Sequence, residues 1–230
     1  MAVVGHSVGT IDQPPGGLSS VVADLAADKQ AFPVPWGKLM MWIFLLSDTF
    51  IFSCFLIGYM NVRMSTAVAW PNPSEVFELT VGQVHVPLLL IAIMTMVLIT
   101  SSGTMAMAVN FGYQRKSAIT TSLILITAAF GACFVGMQAF EWTKLILQEG
   151  IRPWGNPLGA PQFGSVFFMI TGFHGLHVSA GVIYLTVIAM RVWNGFYDRK
   201  GTYETVEVVG LYWHFVDLVW VFIFALFYLW

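Results

Sequence analysis

EVVGLYWHFVDLVW, residues 207–220, is the stretch on which the reading of the whole chain turns. It opens the last apolar segment, yet it carries Glu207, His214 and Asp217 into a run that otherwise suits lipid. A carboxylate at the middle of a membrane helix costs about 2.5–3.5 kcal/mol on insertion scales, so such residues normally face other protein or a water-filled path. Positions 207, 210, 214 and 217 step by three and four, which places Glu207, Gly210, His214 and Asp217 on one stripe of a helix. Trp213 and Trp220, seven apart, occupy a neighbouring face. The segment predicts a transmembrane helix with a polar seam and an aromatic flank.

The rest of the chain agrees with a membrane setting. Its residues are 57% hydrophobic and only 10% charged, and the mean hydropathy is +0.76. That is too apolar for an ordinary soluble domain. Lipid admits only helices or closed barrels, and long apolar runs without alternation select helices. The expected fold is all-α, a polytopic bundle of five transmembrane helices near 38–60, 84–110, 118–140, 163–190 and 208–230. Residues 1–35 hold Pro14, Pro15, Gly16 and Gly17 and no inserting run, so they are expected to form a flexible tail, with His6 incidental. Residues 36–230 form the membrane domain. Lysine and arginine divide seven (Lys29, Lys38, Arg115, Lys116, Arg191, Arg199, Lys200) against three (Arg63, Lys144, Arg152), which puts the N-terminus inside and the C-terminus outside.

A net charge of −2 and the absence of any basic block exclude a nucleic-acid partner. Cys54 and Cys133 fall inside spans without CxxC spacing, so they read as small buried apolar residues and not as haem or zinc attachment points. Asp48, behind Ser47 in the first span, needs a partner or a proton: it is either a structural carboxyl hydrogen-bonded between helices or a proton-handling group. Gln138 and Glu141 share a face at the end of the third span. The loop over 61–83 carries Arg63 and Trp70. His85 and Pro87 open the second span, where a first-turn proline removes no helical hydrogen bond. Ala132 with Gly136, and Thr171 with Gly175 and Ser179, predict ridges for close helix packing. His174 and His177 sit on one helix face; a metal site would need a third ligand, and otherwise both hydrogen-bond into the bundle.

YWHFVDLVW (212–220), with Glu207 seven residues before His214, resembles the last helix of subunit III of the haem-copper terminal oxidases. TGFHGLHV (171–178) is similar to that family's penultimate helix, and the resemblance spans about 37–230. It implies a redox-silent subunit in a hetero-oligomeric membrane complex with the catalytic subunit I and with subunit II. Haem and copper are then expected on those partners, with no catalytic, cofactor-binding or metal-binding residue on this chain. Bound phospholipid in a cleft between helices and support of proton uptake and stability during oxygen reduction are also implied. Long members have seven helices; the short bacterial forms have the last five, which implies a bacterial inner membrane. The family commonly has Ser followed by Glu where this chain has Ser47 and Asp48, and Glu141 in QAFEW matches a family element. Asp48, Glu141 and Glu207 are therefore assigned as proton-related or buried polar residues. His174, His177, His214 and Asp217 are assigned to a structural polar seam, and Arg63 and Trp70 to lipid contact.

Cytochrome c oxidase stands first among the assemblies, with a quinol oxidase or nitric oxide reductase as the alternative. A b-haem membrane anchor is a further reading, but the chain has five histidines, one in the tail, and His174 and His177 leave one side of one helix. Two ligands on one side of a haem cannot sandwich its iron, so such a site would have to recruit His85 or His214. The same count is too small for a catalytic oxidase subunit, which uses about six histidine ligands. A transporter would show paired broken helices in an internal repeat, and no such repeat is visible.

Overall fold

The computed structural model describes residues 35–81 and 84–229, without the side chains of Glu75 and of residues 78–87. The expected tail, but for Pro35, lies outside these residues, as do His6 and Trp230. The elements are α1 (Trp36–Ser65), α2 (Pro73–Val76), β1 (Glu78–Val81), β2 (Val84–Pro87), α3 (Leu89–Tyr113), α4 (Ser117–Leu147), α5 (Gln162–Trp193), α6 (Phe196–Lys200) and α7 (Glu204–Phe227). Five of them, α1, α3, α4, α5 and α7, are long and apolar enough to cross a membrane. All five expected spans are present.

Their ends differ from the expectation. Residues Val84–Pro87 pair antiparallel with Glu78–Val81, so the second span begins at Leu89 and Pro87 lies at a strand end, not in a first helical turn. A strand end tolerates the missing N–H of proline. Leu88, with φ 59°, then turns the chain into α3. This hairpin is the departure from an all-α fold among the described residues. Ahead of it, α2 is set locally: Pro73 starts the helix, and Asn72 Oδ1 accepts from the Ser74 N–H at 3.3 Å and from its hydroxyl at 2.9 Å. Helix α4 runs on to Leu147, so Lys144, expected in a loop, is helical.

Between α3 and α4 the chain reverses over residues 114–116. Arg115 N–H donates to Gly112 O at 2.9 Å and Lys116 N–H to Phe111 O at 3.1 Å, a helix-ending motif that glycine usually closes. Arg115 adopts φ 57° there. Replacing it by glycine is expected to raise stability by about 1 kcal/mol, the strain of a left-handed non-glycine residue, as read by thermal unfolding in detergent. No change would show that the turn is relaxed as it stands.

Helix α7 is the most buried of the five and α1 the least. Trp213 and Trp220 of α7 are fully buried. Trp213 enters the bundle where its neighbours have no side chain: a Cβ at Gly131 of α4 would overlap its ring and stand 2.7 Å from a Val182 methyl, and one at Gly181 of α5 would stand 2.9 Å from the ring. Helix α3 supplies hydroxyls to the same seam. Ser101 Oγ accepts from Trp213 Nε1 at 3.0 Å, Thr95 Oγ1 accepts from Trp220 Nε1 at 3.1 Å, and Ser102 Oγ lies 2.6 Å from His214 Nδ1. Of the ridges expected to pack closely, Thr171 is fully buried, but nothing comes within 4 Å of a Cβ placed at Gly136 or Gly175. Cys54 and Cys133 are exposed, not buried. Each lies off the buried stripe of its helix, which for α1 is Leu45, Asp48, Phe52 and Tyr59.

Tyr203 precedes α7 and donates to Asp198 Oδ1 at 2.5 Å. Burial first, and then that hydrogen bond, push its phenol up to about 12. It remains a donor at any ordinary pH, fixing the α6–α7 connection.

A polar seam beside an apolar cleft

Asp48 sits in the middle of α1 and is 3% exposed, on the side facing the bundle. Its Oδ2 lies 3.4 Å from His177 Nε2 of α5, close enough for an ion pair but outside hydrogen-bond geometry. His177 Nδ1 is 2.8 Å from Phe173 O. A carbonyl can only accept, so Nδ1 carries a proton and donates it, which leaves Nε2 turned toward the carboxyl. Nε2 and Oδ2 thus face each other across helices α5 and α1 without a hydrogen bond between them. Tyr212 of α7 donates to His177 O at 2.9 Å, so three helices meet at this histidine. Phe52 and Phe173 close around it with ring centroids at 5.5 and 4.7 Å.

His174, one turn earlier, goes elsewhere. It is fully buried, stacked on Trp220 at 5.3 Å and edge-on to Phe134 at 5.8 Å, with neither ring nitrogen hydrogen-bonded. The two histidines therefore do not converge on a ligand. Among the described residues, no group of three or more His, Cys, Asp or Glu is placed to hold a metal ion.

Glu207 accepts from Lys38 Nζ at 2.6 Å and from Tyr113 OH, tying the starts of α1 and α7 to the end of α3. At the opposite end, Tyr59 OH donates to Leu226 O at 3.0 Å and accepts from Arg63 at 2.8 Å. The Trp70 ring is edge-on to Tyr59 at 5.7 Å and to Phe163 at 5.6 Å. Arg63 and Trp70 are thus part of the packing at that end. Glu141 is 3% exposed and accepts from Gln138 Nε2 at 3.1 Å and Tyr228 OH at 3.2 Å. Asp217 is 7% exposed with both carboxyl oxygens unpaired. Lys38, Tyr59, Tyr212 and Tyr228 were not singled out from the sequence. The groups to which they donate, the Glu207 and Glu141 carboxylates and the Leu226 and His177 carbonyls, are far away in the chain, and no local pattern marks them.

Held at both ends and at Asp48, α1 stands off from α7 over the span between. A cleft of about 700 Å³ opens there, walled by Trp42, Leu46, Phe215 and Phe222, with His214 in one wall. Its lining is almost wholly apolar, which suits acyl chains.

Comparison with known proteins gives a consistent result. The profile of the family described as cytochrome c oxidase subunit III matches residues 28–230. A protein of Staphylococcus aureus named probable quinol oxidase subunit 3 is 31% identical over 193 residues, covering 84% of this chain and 88% of the relative. The protein of the same name from Staphylococcus epidermidis matches equally, at 31% over 193 residues.

Proposed function

The chain belongs to the cytochrome c oxidase subunit III family, and from that membership we propose that it serves a haem-copper oxidase as a subunit without redox centres of its own, supporting proton uptake and lifetime during oxygen reduction. Membership implies association with oxidase catalytic subunits in a membrane complex, and the five spans make the chain a multi-pass membrane protein. The observation that carries the functional reading is the buried Asp48–His177 pair, a carboxyl and an imidazole 3.4 Å apart that link α1 to the bundle. Haem and copper reside on the partner subunits in this reading. The α1–α7 cleft holds phospholipid acyl chains, and the complex lies in a bacterial inner membrane with the N-terminus of this chain inside.

Both staphylococcal relatives carry a quinol oxidase name, so the proposed assembly is a quinol oxidase. The family description supports the second reading, a cytochrome c oxidase. Assay of the purified complex separates them. Oxygen consumption driven by a quinol but not by reduced cytochrome c supports the first, and the opposite pattern replaces it with the second. The b-haem anchor gains nothing from the geometry: His177 and His214 are each engaged with a neighbour, and His174 is enclosed by aromatic rings.

Asp48→Ala is expected to leave the haem content of the complex unchanged while slowing proton uptake or shortening the active lifetime during turnover. Unchanged proton uptake together with an unchanged lifetime would remove Asp48 from the functional residues.

A further inference from the structure

On the other side of α7, between it and α3, lies a second cavity of about 230 Å³, lined by Thr95, Ser102, His214, Asp217 and Trp220 among others. Asp217 is 93% buried by its 7% exposure, and neither carboxyl oxygen has a hydrogen-bond partner among the described residues. The hydroxyls of Ser101 and Ser102 lie beside the carboxyl, but Ser101 donates to Leu98 O at 2.7 Å and Ser102 lies 2.6 Å from His214 Nδ1. An orphaned buried carboxyl is costly, and in a membrane such groups normally face other protein or a water-filled path. What could supply its missing donor is limited by depth. Asp217 lies 13 residues beyond Glu204 (217 − 204) and 10 before Phe227 (227 − 217). At 1.5 Å per residue that is about 15–20 Å from either helix end, beyond the reach of a lipid headgroup. An acyl chain carries no donor.

The surround of this cavity is apolar and uncovered. Ile99, Leu218 and Val221 are 54%, 55% and 43% exposed. A polar centre inside an apolar rim is how transmembrane helices recognise one another. The exposed ridge of α5 is different: Met169, Leu176 and Ile183 offer only apolar side chains, as lipid requires.

We propose that the α3–α7 groove is the docking seam for a transmembrane helix of the neighbouring oxidase subunit, which brings a hydroxyl, amide or amine donor to the edge formed by Ser102, His214 and Asp217. This rests on the reading of the chain as one subunit of an oxidase. The occupant is a protein helix and not a lipid, because the exposed apolar rim must be covered and neither a headgroup nor an acyl chain brings a donor to that depth.

Photo-cross-linking of the assembled complex tests it. The photoreactive residue p-benzoylphenylalanine is placed at Ile99 or Val221, and at Leu176 or Ile183 as controls on the α5 ridge; all four sites are exposed, so folding is spared. Irradiation is expected to join the chain to a second polypeptide from Ile99 and Val221, several-fold more than from the α5 positions, where lipid adducts dominate. Lipid adducts alone at Ile99 and Val221, or polypeptide adducts only from α5, would overturn the seam while leaving the functional reading intact. Co-purification of the wild-type chain is scored separately: if no other subunit accompanies it, the functional reading falls and the seam falls with it.

Discussion

Trp213→Ala is expected to cost about 3–5 kcal/mol, the range for emptying a buried aromatic site. Trp213 is fully buried, rests in space left by Gly131 and Gly181, and donates to Ser101. Removing it opens a cavity where α3, α4, α5 and α7 meet and leaves the Ser101 hydroxyl without its donor. Two large glycine-lined walls cannot collapse to fill that space without moving helices, so relaxation recovers little. Denaturant or thermal unfolding in detergent should show the loss as a lowered midpoint. A change below about 1 kcal/mol would mean that the bundle does not depend on this wedge.

His177→Leu is the second large effect. It leaves the Asp48 carboxyl buried without a partner, and breaking a buried pair in this way typically costs about 3–5 kcal/mol. The loss comes from the stranded carboxyl more than from the missing contact. Asp48→Asn in the same background is therefore expected to restore most of the stability, because an amide is less costly to bury than a carboxylate. The cycle decides the point. If the double variant is no better than His177→Leu alone, the two residues are not coupled and the 3.4 Å approach carries no energy.

Much of this architecture is legible in the residues. The apolar runs yield the five spans, and the three-and-four spacing from Glu207 to Asp217 places those polar residues on one stripe of the last helix. That the tryptophans flank it follows from the same spacing, but their role does not. Trp213 and Trp220 could equally have faced lipid, and what holds them inside is glycine in α4 and α5 and hydroxyls in α3. Small residues mark close approach only when another helix is present to use them. Gly131 and Gly181 have such a neighbour, whereas nothing comes within 4 Å of a Cβ at Gly136 or Gly175, although these two lie in the small-residue ridges.

The hairpin was hidden for a related reason. Residues 78–87 read as a loop followed by a helix start, since the apolar run begins at Val84, and only the pairing of Val81 with Val84 reveals a strand. Most helix ends lie outward of the expected spans because backbone hydrogen bonding continues past the apolar core, which puts Glu141 inside α4 and Glu207 in the first turn of α7. The partner of Asp48 was likewise out of reach. Asp48 and His177 are 129 positions apart (177 − 48), and the contact depends on how α1 leans on α5.

The central claim is that this chain works as one subunit of an oxidase whose metals lie elsewhere. Its most direct test is recovery of the tagged chain in mild detergent, with its companions identified by mass spectrometry and its pigments by absorption spectroscopy. A large many-helix subunit rich in histidine is expected, bringing haem and copper with it. Recovery of the chain alone with stoichiometric b-type haem would contradict it, and would move the site to His85, His174, His177 and His214.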